Sequence, residues 1–386
     1  LLGCKVKNES ALTIREAFDV ANIEATFLKT DELLPHKEIT KSPNPFTFPK
    51  GTALVLPDSF AHPQMTFHTE TFIDSSYTQG MVVIQNDSLV YEDYFRGQTA
   101  ATPRIIWSVT KSYVSALMGI ALSEGYIKSI DQTVDEYAPE LKGSGYEGVK
   151  IKDVLQMSSG IKFDETYRDP NSDINRWFTA FCAGESQDAF AASLVNEKPA
   201  GTYNKYISLD THVLGMVITK ATGRSLTDYL QEKLWNPIGS EFDAFWLMDN
   251  KKMEMALGGL NVCLLDAAKL GRLFLNKGNW NGQQLVPADW VTASVTSDES
   301  HLQPNSEQSA HPGIGYGYQW WIPEGDEGEF LAIGVFNQYI YINPTTNTII
   351  AKNSANKNYY DGRNPYRNTQ VHLALFRAIA HQQVRQ

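Results

Sequence analysis

A serine and a lysine three residues apart stand at the mouth of an apolar segment, in the run Trp-Ser-Val-Thr-Lys-Ser-Tyr-Val-Ser-Ala-Leu of residues 107–117. Apolar side chains recur after Ser108 at three- and four-residue spacing, which predicts a helix over 108–124. Residues three apart share one helical face, so the Lys111 amine can reach the Ser108 hydroxyl. The positive helix end and burial both favour the neutral amine that serine activation needs. The pair therefore predicts a lysine-activated serine nucleophile and a serine hydrolase.

The Ser-x-x-Lys spacing occurs twice more, at Ser159–Lys162 and Ser354–Lys357, so the tetrapeptide alone is a weak signal. Ser159 ends a predicted helix, and Ser354 follows a strand-like run in what we expect to be a polar turn. Of the three serines, only Ser108 opens a predicted helix. The simplest alternative is that Ser108 is only a helix N-cap. A capping box, however, has Glu or Gln three residues on, and a cation in the first turn opposes the helix dipole.

Length and composition limit the class of protein. The chain has 386 residues, 42% of them hydrophobic, which is typical of a globular protein with room for two structural units. The net charge of −11 argues against an extended nucleic-acid surface and against adhesion to anionic lipid. No segment reaches the roughly 18 uninterrupted apolar residues of a membrane span. The three cysteines show neither metal-ligand spacing nor a disulfide framework.

The first four residues, Leu-Leu-Gly-Cys, match the end of a bacterial lipoprotein signal, in which the cysteine becomes the lipidated N-terminus. The sequence turns polar directly after Cys4. We therefore expect a cell-envelope (periplasmic) protein with a lipid anchor at Cys4. If the match is coincidental, a cytoplasmic location is the alternative.

The order of predicted elements indicates an α/β unit plus an all-α unit. Residues 1–66, rich in proline and charge, predict an N-terminal extension that wraps the body. Residues 67–107 and 247–386 predict an antiparallel sheet flanked by helices, and residues 108–246 an inserted helical subdomain. We expect the active site in the cleft between the two units. The predicted helices are 14–30, 108–124, 150–158, 173–182, 186–196, 208–222, 225–234, 264–277, 287–295 and 369–382. The predicted strands are 80–85, 88–95, 315–322, 329–335, 338–343 and 347–352.

Four further motifs follow the serine–lysine pair: Leu155-Gln-Met-Ser-Ser-Gly-Ile, Ala200-Gly-Thr-Tyr-Asn-Lys-Tyr-Ile-Ser-Leu-Asp-Thr-His-Val-Leu-Gly, Gly258-Gly-Leu and Gly315-Tyr-Gly-Tyr-Gln-Trp-Trp. With these motifs, over about residues 67–385, the chain resembles the serine β-lactamase and penicillin-binding-protein superfamily, in its class C-like branch. Within it the chain most resembles the nylon-oligomer (6-aminohexanoate-dimer) hydrolases and the β-lactamase-fold carboxylesterases. The motifs that carry this narrower resemblance are Glu165-Thr-Tyr167 followed by Asp169-Pro, Tyr206-Ile-Ser208, and Ala332-Ile-Gly334-Val335 running on to Gln338.

The resemblance implies a catalytic role for three residues. Ser108 would be the acylated nucleophile, Lys111 its base and Tyr206 the proton relay to the leaving group. Ester or amide cleavage needs these functions together with donors aimed at the developing oxyanion. We expect the neighbouring lysine to lower the pKa of the Tyr206 phenol. The implied enzyme is an esterase or amidase acting on a small molecule.

The resemblance also assigns residues that line the site. Ser208 would help to hold the lysine, although its place equally suits a helix N-cap. The backbone N–H groups of Ser108 and Val335, at the end of the strand that carries Gly334, would form the oxyanion hole. Tyr167 would lie on a mobile loop that closes over an amide substrate.

Two departures from the family pattern bear on the substrate. Ala332-Ile333-Gly334 stands where β-lactamases and transpeptidases carry a Lys-Thr-Gly triad that binds the substrate carboxylate. Loss of that cation favours neutral esters or linear amides. Phe336 and Asn337 stand where the nylon-oligomer pattern has His and Gly, which alters the pocket wall.

Two other functions compete with the esterase or amidase. One is a β-lactamase or D-alanyl carboxypeptidase, and the other is a non-catalytic envelope binding or sensor lipoprotein of the same fold. We expect no metal and no organic cofactor, because metal-pair, phosphate-loop and dinucleotide motifs are missing from the sequence.

His301 and His311 fall in a polar loop, where we expect them to be exposed. Trp320 and Trp321 alternate across a strand, so one should pack in the core and the other line the cleft.

Overall fold

The computed structural model describes residues 14–63 and 65–382. Its α-helices, in chain order, are α1 (Ile14–Ala17), α2 (Ile23–Thr26), α3 (Thr69–Ser75), α4 (Thr110–Ser123), α5 (Val134–Tyr137), α6 (Ile151–Leu155), α7 (Asp173–Cys182), α8 (Gln187–Ala192), α9 (Ser208–Thr222), α10 (Leu226–Leu230), α11 (Leu264–Leu275), α12 (Ala288–Ser294) and α13 (Thr369–Ala380). Its strands are β1 (His36–Ile39), β2 (Ser59–His62), β3 (Met65–His68), β4 (Thr78–Gln85), β5 (Ser88–Tyr94), β6 (Arg104–Ile105), β7 (Ala244–Leu247), β8 (Leu260–Val262), β9 (Asn279–Trp280), β10 (Gln283–Gln284), β11 (Ile314–Tyr316), β12 (Trp321–Pro323), β13 (Phe330–Gly334), β14 (Gln338–Asn343) and β15 (Thr348–Ser354).

The main sheet has seven antiparallel strands in the order β11-β12-β13-β14-β15-β4-β5. β15 pairs with β4 through residues such as Ile350 and Val83, so two distant segments of the chain complete one sheet. This confirms the predicted antiparallel sheet. A second sheet, ordered β1-β7-β8-β6, joins the N-terminal segment to the strands before α11.

Side chains alternate across the main sheet and build two apolar layers. Ile349 and Ala351 pack in the layer that holds α11, whereas Ile350 faces the layer that holds α13. Gly271 lets α11 approach the sheet closely, because a Cβ there would lie 2.7 Å from Ile349 Cγ2. Helices on both faces of the antiparallel sheet confirm the predicted fold class.

The helical unit is organised around α4 and α9, which pack against each other and are buried along most of their length. Burial on nearly every side means that these helices have no broad solvent-facing polar side, although they bury polar residues such as Lys111 and Asp210. α9 ends at Gly223 with a left-handed backbone, as its sequence predicts. Of the candidate catalytic residues, Lys111 lies in the first turn of α4, Ser108 lies two residues before α4, and Tyr206 lies two residues before α9.

Three sequence expectations about local structure are wrong. The segment 14–30 forms two one-turn helices, α1 and α2, rather than one helix. The segment 315–322 is interrupted, since residues 317–320 leave the strand between β11 and β12. Ser354 is not in a polar turn but buried at the end of β15, where the Lys352 amine donates to its hydroxyl at 2.5 Å.

Cys4, the predicted lipid attachment site, lies outside the described residues, and the anchor stays a prediction. The division into 1–66, 67–107 with 247–386, and 108–246 stays a prediction as well. In the part of the chain that the structure describes, none of the helices combines the length and apolar character needed to cross a bilayer.

Candidate active site

Ser108 lies in a 3₁₀ turn, Trp107–Val109, that leads directly into α4. The α-helix therefore begins two residues after Ser108, rather than at the serine as the sequence suggests. Trp107 has a left-handed backbone with φ of +48°, a sparsely populated conformation for a bulky residue. Strained backbone of this kind clusters at active sites. Ser108 is half-buried, whereas Val109 is buried.

The Lys111 amine lies beside the nucleophile in a dry environment. Its Nζ is 2.9 Å from Ser108 Oγ and also donates to the carbonyl of Leu257, and the side chain is 1% exposed. Burial lowers the pKa of Lys111 to about 7, while the carboxylates of Glu165 and Asp210 oppose that shift. A substantial share of the amine is therefore an unprotonated base at neutral pH.

Tyr206 completes a three-residue cluster with this pair. Its phenol interacts with the Ser108 side chain, and the Lys111 amine lies 5.2 Å from the centre of its ring. Burial raises the pKa of Tyr206 well above its ordinary value, so the expectation of a lowered phenol pKa is wrong. The free site thus holds a neutral phenol, which can pass on a proton, and a lysine that can accept one.

Glu165 is a half-buried carboxylate at the site to which its sequence motif assigned no role. It accepts hydrogen bonds from Ser208 Oγ at 2.5 Å, from Ser208 N at 3.0 Å and from the Tyr167 hydroxyl at 3.0 Å. Burial raises the pKa of Glu165, and the charge of Lys111 opposes that shift. The Ser208 hydroxyl, expected to hold the lysine, donates to Glu165 instead. The Glu165-Thr-Tyr167 motif contained this residue, but nothing in its spacing indicated that it would face Lys111.

Asp210 is the second carboxyl group near Lys111. It is fully buried in the first turn of α9 and accepts a hydrogen bond from the Tyr146 hydroxyl at 2.8 Å. Burial raises the pKa of Asp210 to about 8. An acidic residue in the first turn of a helix is common, so the position of Asp210 did not indicate this role.

The strand end that carries Gly334 and Val335 lies against the nucleophile turn. A Cβ at Gly334 would come 2.7 Å from the carbonyl oxygen of Ile106, so glycine is required for this close approach. Gln338 donates to the carbonyl of Val335 at 3.2 Å, which holds the peptide chain at the turn. Val335 and Ser108 are both half-buried and lie in or directly beside these two contacting segments.

A series of aromatic rings in contact with one another begins at Trp107, the residue before Ser108. Trp107 lies 5.9 Å from Phe336, and Phe336 lies 5.5 Å from Tyr360. Tyr167 stacks on Tyr360 at 6.0 Å with an interplanar angle of 22°. The loop that carries Tyr167 is thus packed over the site. Phe336, which replaces the expected histidine, contributes an apolar surface at this point.

Trp321 and His311 pack against Tyr206. Trp321 stacks on Tyr206 at 5.3 Å, while Trp320 is fully buried in the core; one ring packs in the core and the other at the site, as predicted, although Trp320 lies just before β12 and not within a strand. His311 Nε2 accepts a hydrogen bond from the Tyr206 N–H at 3.0 Å, and burial lowers its pKa to about 4. His301 is also buried. The expectation that both histidines are exposed is therefore wrong, because the polar loop folds back onto the site.

Among the described residues, no group of three or more His, Cys, Asp and Glu side chains is arranged to hold a metal ion.

Known proteins match the chain in sequence and in fold. The family model described as Beta-lactamase matches residues 70–376. The 6-aminohexanoate-dimer hydrolase of Paenarthrobacter ureafaciens is 28% identical over 295 residues, which are 74% of this chain and 74% of that protein. A Bacillus anthracis structure provisionally named 6-aminohexanoate-dimer hydrolase superimposes with a TM-score of 0.81 at 24% identity, covering 95% of each chain. The penicillin-binding protein of Bacillus halodurans has a TM-score of 0.58 at 15% identity over 75% of this chain and 97% of that chain.

Proposed function

The chain belongs to the beta-lactamase family, and on that premise we propose that it is a serine hydrolase that cleaves an ester or a linear amide through an acyl-Ser108 intermediate. The observation that carries the proposal is the 2.9 Å contact between Ser108 Oγ and the buried Lys111 amine, whose pKa lies at about 7. A serine hydroxyl becomes a useful nucleophile when an adjacent base can take its proton.

In the acylation step, the neutral Lys111 amine takes the Ser108 proton while Ser108 Oγ forms a bond to the substrate carbonyl carbon. The carbonyl oxygen becomes an oxyanion, which the N–H groups of Ser108 and Val335 would stabilise. The tetrahedral intermediate then collapses as the bond to the leaving nitrogen or oxygen breaks. Tyr206 gives its phenol proton to the leaving group and recovers a proton from Lys111. An acyl-serine and a protonated leaving group result.

In the deacylation step, water attacks the acyl carbon. Tyr206 and Lys111 now work in reverse and take the proton from the attacking water. The bond to Ser108 Oγ breaks, the serine oxygen regains a proton, and a carboxylic acid is released. The high pKa of Tyr206 keeps the phenol protonated in the resting site, so the same group is ready for the next cycle.

The test is hydrolysis by the wild type, Ser108→Ala and Lys111→Ala of three substrates: a short-chain p-nitrophenyl ester, a chromogenic β-lactam and the 6-aminohexanoate dimer. We expect ester or linear-amide turnover that is abolished in Ser108→Ala and nearly abolished in Lys111→Ala. Lys162→Ala is the matched control, because Lys162 is the exposed lysine of the second Ser-x-x-Lys tetrad. It should retain wild-type activity.

A fluorophosphonate probe with mass spectrometry provides a second readout that does not depend on the substrate. It should label Ser108 in the wild type and leave Ser108→Ala unlabelled. Turnover of the β-lactam alone would favour the β-lactamase function. An unlabelled wild type with no turnover would favour the binding or sensor function.

A further inference from the structure

Arg104 is a fully buried arginine in the short strand that leads to the nucleophile. It lies in β6, ahead of Ser108 in the sequence, and is 0% exposed. Among the described residues no carboxylate pairs with it. Its guanidinium donates instead to the side-chain oxygens of Gln79 and Gln98 and, at 2.7 Å, to the carbonyl of Ser354. Burial lowers the pKa of Arg104 to about 9, so the group is still a cation at neutral pH. A buried cation without a countercharge lowers stability, and such a locally unfavourable residue indicates a functional role.

The Ser354 carbonyl connects Arg104 to Gln338. Gln338 is also fully buried; its Nε2 donates to the Ser354 carbonyl at 2.6 Å, and its Oε1 accepts the Ser354 N–H at 3.2 Å. The same Nε2 donates to the carbonyl oxygens of Val335 and Phe336, both at 3.2 Å. One amide group therefore fixes the turn that follows β13 to the end of β15, and Arg104 fixes that same end to β6. We call Arg104, Ser354 and Gln338 the polar bridge.

The polar bridge connects the two segments that would carry the oxyanion donors. β6 leads through Ile106 to Ser108, and the turn after β13 begins at Val335. The two segments also touch directly at Gly334, where a Cβ would lie 2.7 Å from the Ile106 carbonyl oxygen. Two separate connections restrict both the distance between the segments and their relative rotation.

We propose that Arg104 and Gln338 are positioning residues that set the distance between the N–H groups of Ser108 and Val335. This inference rests on the proposed hydrolase function, in which those two groups bind the oxyanion. Oxyanion donors are effective because they are in place before the charge develops, and a displacement of about 1 Å can cost about 10²-fold in rate. The buried cation suits this role, because charge-assisted hydrogen bonds to the Ser354 carbonyl and the glutamine oxygens are stronger than neutral ones.

The test compares a p-nitrophenyl ester with the matching p-nitrophenyl thionoester, in which sulfur replaces the carbonyl oxygen. Sulfur is a weak hydrogen-bond acceptor, so the ratio of kcat/KM for the ester to kcat/KM for the thionoester reports on the oxyanion donors. A smaller folded fraction lowers both rates equally and leaves the ratio unchanged. Gln338→Met keeps the length of the side chain and removes its amide. We expect it to lower the ratio about tenfold or more, since losing an oxyanion donor outright costs about 10²–10³-fold.

Arg104→Lys tests the other end of the polar bridge. It keeps the positive charge, but one ammonium group cannot reach all the acceptors that the guanidinium spans. The ratio should fall in the same direction as in Gln338→Met. The fold-change in Arg104→Lys/Gln338→Met should be smaller than the product of the two single fold-changes, because both residues act through the Ser354 carbonyl.

Gln85→Met is the matched control. Gln85 is another buried glutamine of the main sheet, and it pairs with Thr348 at the opposite end of β15 from Ser354. Its ratio should equal that of the wild type even if its stability falls.

An unchanged ratio in both Gln338→Met and Arg104→Lys would overturn the inference, as would an equal fall in Gln85→Met. A partly unfolded variant can still be scored, because the ratio does not depend on the concentration of folded enzyme. Failure of the proposed function would look different: the wild type would not cleave the ester, or Ser108→Ala would cleave it equally well.

Discussion

The protonation state of Lys111 sets the pH at which the site can work. Because burial holds the Lys111 pKa at about 7 and keeps the Tyr206 phenol protonated far above that value, the base form appears as pH rises through neutrality. We expect kcat/KM for a p-nitrophenyl ester to rise with an apparent pKa of about 7 and then to stay level through the mildly alkaline range. A pH–rate profile corrected for spontaneous hydrolysis measures this. A profile that is flat through neutrality would contradict Lys111 as the base.

A substitution at Glu165 provides a second test of Lys111 as the base. Its charge raises the pKa of Lys111, so Glu165→Gln should move the acidic limb of the profile to lower pH while the neutral side chain still accepts the Ser208 hydrogen bond. Glu70→Gln is the control, because Glu70 is an exposed carboxylate on α3, and its profile should match the wild type. A limb that stays in place in Glu165→Gln would mean that Glu165 only supports the loop that carries Tyr167.

At the scale of elements, α9 contributes a residue to the site and also a buried carboxyl group that lowers stability as pH rises. Its first turn places Ser208 at the site and also buries Asp210, a carboxyl group that ordinarily titrates near 3.8. In the folded protein Asp210 keeps its proton up to about pH 8. Between these two values the folded state binds more protons than the unfolded chain, so the free energy of unfolding falls as pH rises.

Asp210→Asn should remove this pH dependence. The amide oxygen can still accept the Tyr146 hydroxyl, but no charge develops at any pH. We therefore expect the variant to gain stability relative to the wild type as pH rises from about 4 to about 8, seen as a growing difference in urea midpoint. Asp326→Asn, at an exposed position, should show a constant difference. A constant difference for Asp210→Asn would show that Asp210 is ionised in the folded state at all of these pH values.

At the scale of the whole molecule, the local sequence pattern predicted the elements whose burial can be recognised from their own residues. The helix 173–182 and the strands 338–343 and 80–85 correspond closely to observed elements, because apolar periodicity indicates the helix and short apolar runs indicate strands buried on both faces. Contacts between distant segments left no such pattern. His311 closes onto Tyr206 from a polar loop, and Glu165 faces Lys111 from another, so neither placement could be derived from neighbours in sequence.

The N-terminal segment was predicted to wrap the body, and the described part of it enters the core. Phe27 is fully buried, with its ring 5.4 Å from Trp107 and 5.1 Å from Phe336. Farther along, β1 pairs with β7 from His36 to Ile39. The segment therefore supports the turn that holds Ser108 from behind.

Phe27→Ala should accordingly weaken both stability and activity. Loss of a fully buried phenylalanine costs about 3–5 kcal/mol, and the cavity removes the support behind the strained Trp107, so kcat/KM should fall under conditions in which the variant remains folded. Val55→Ala is the control from the same segment, because Val55 is 76% exposed and its loss should change stability by no more than about 0.5 kcal/mol. Urea unfolding and ester hydrolysis measure the two effects. If Phe27→Ala changes stability and kcat/KM as little as Val55→Ala does, the segment only covers the surface of the fold. If kcat/KM of the folded variant falls together with its stability, the segment helps to position Ser108.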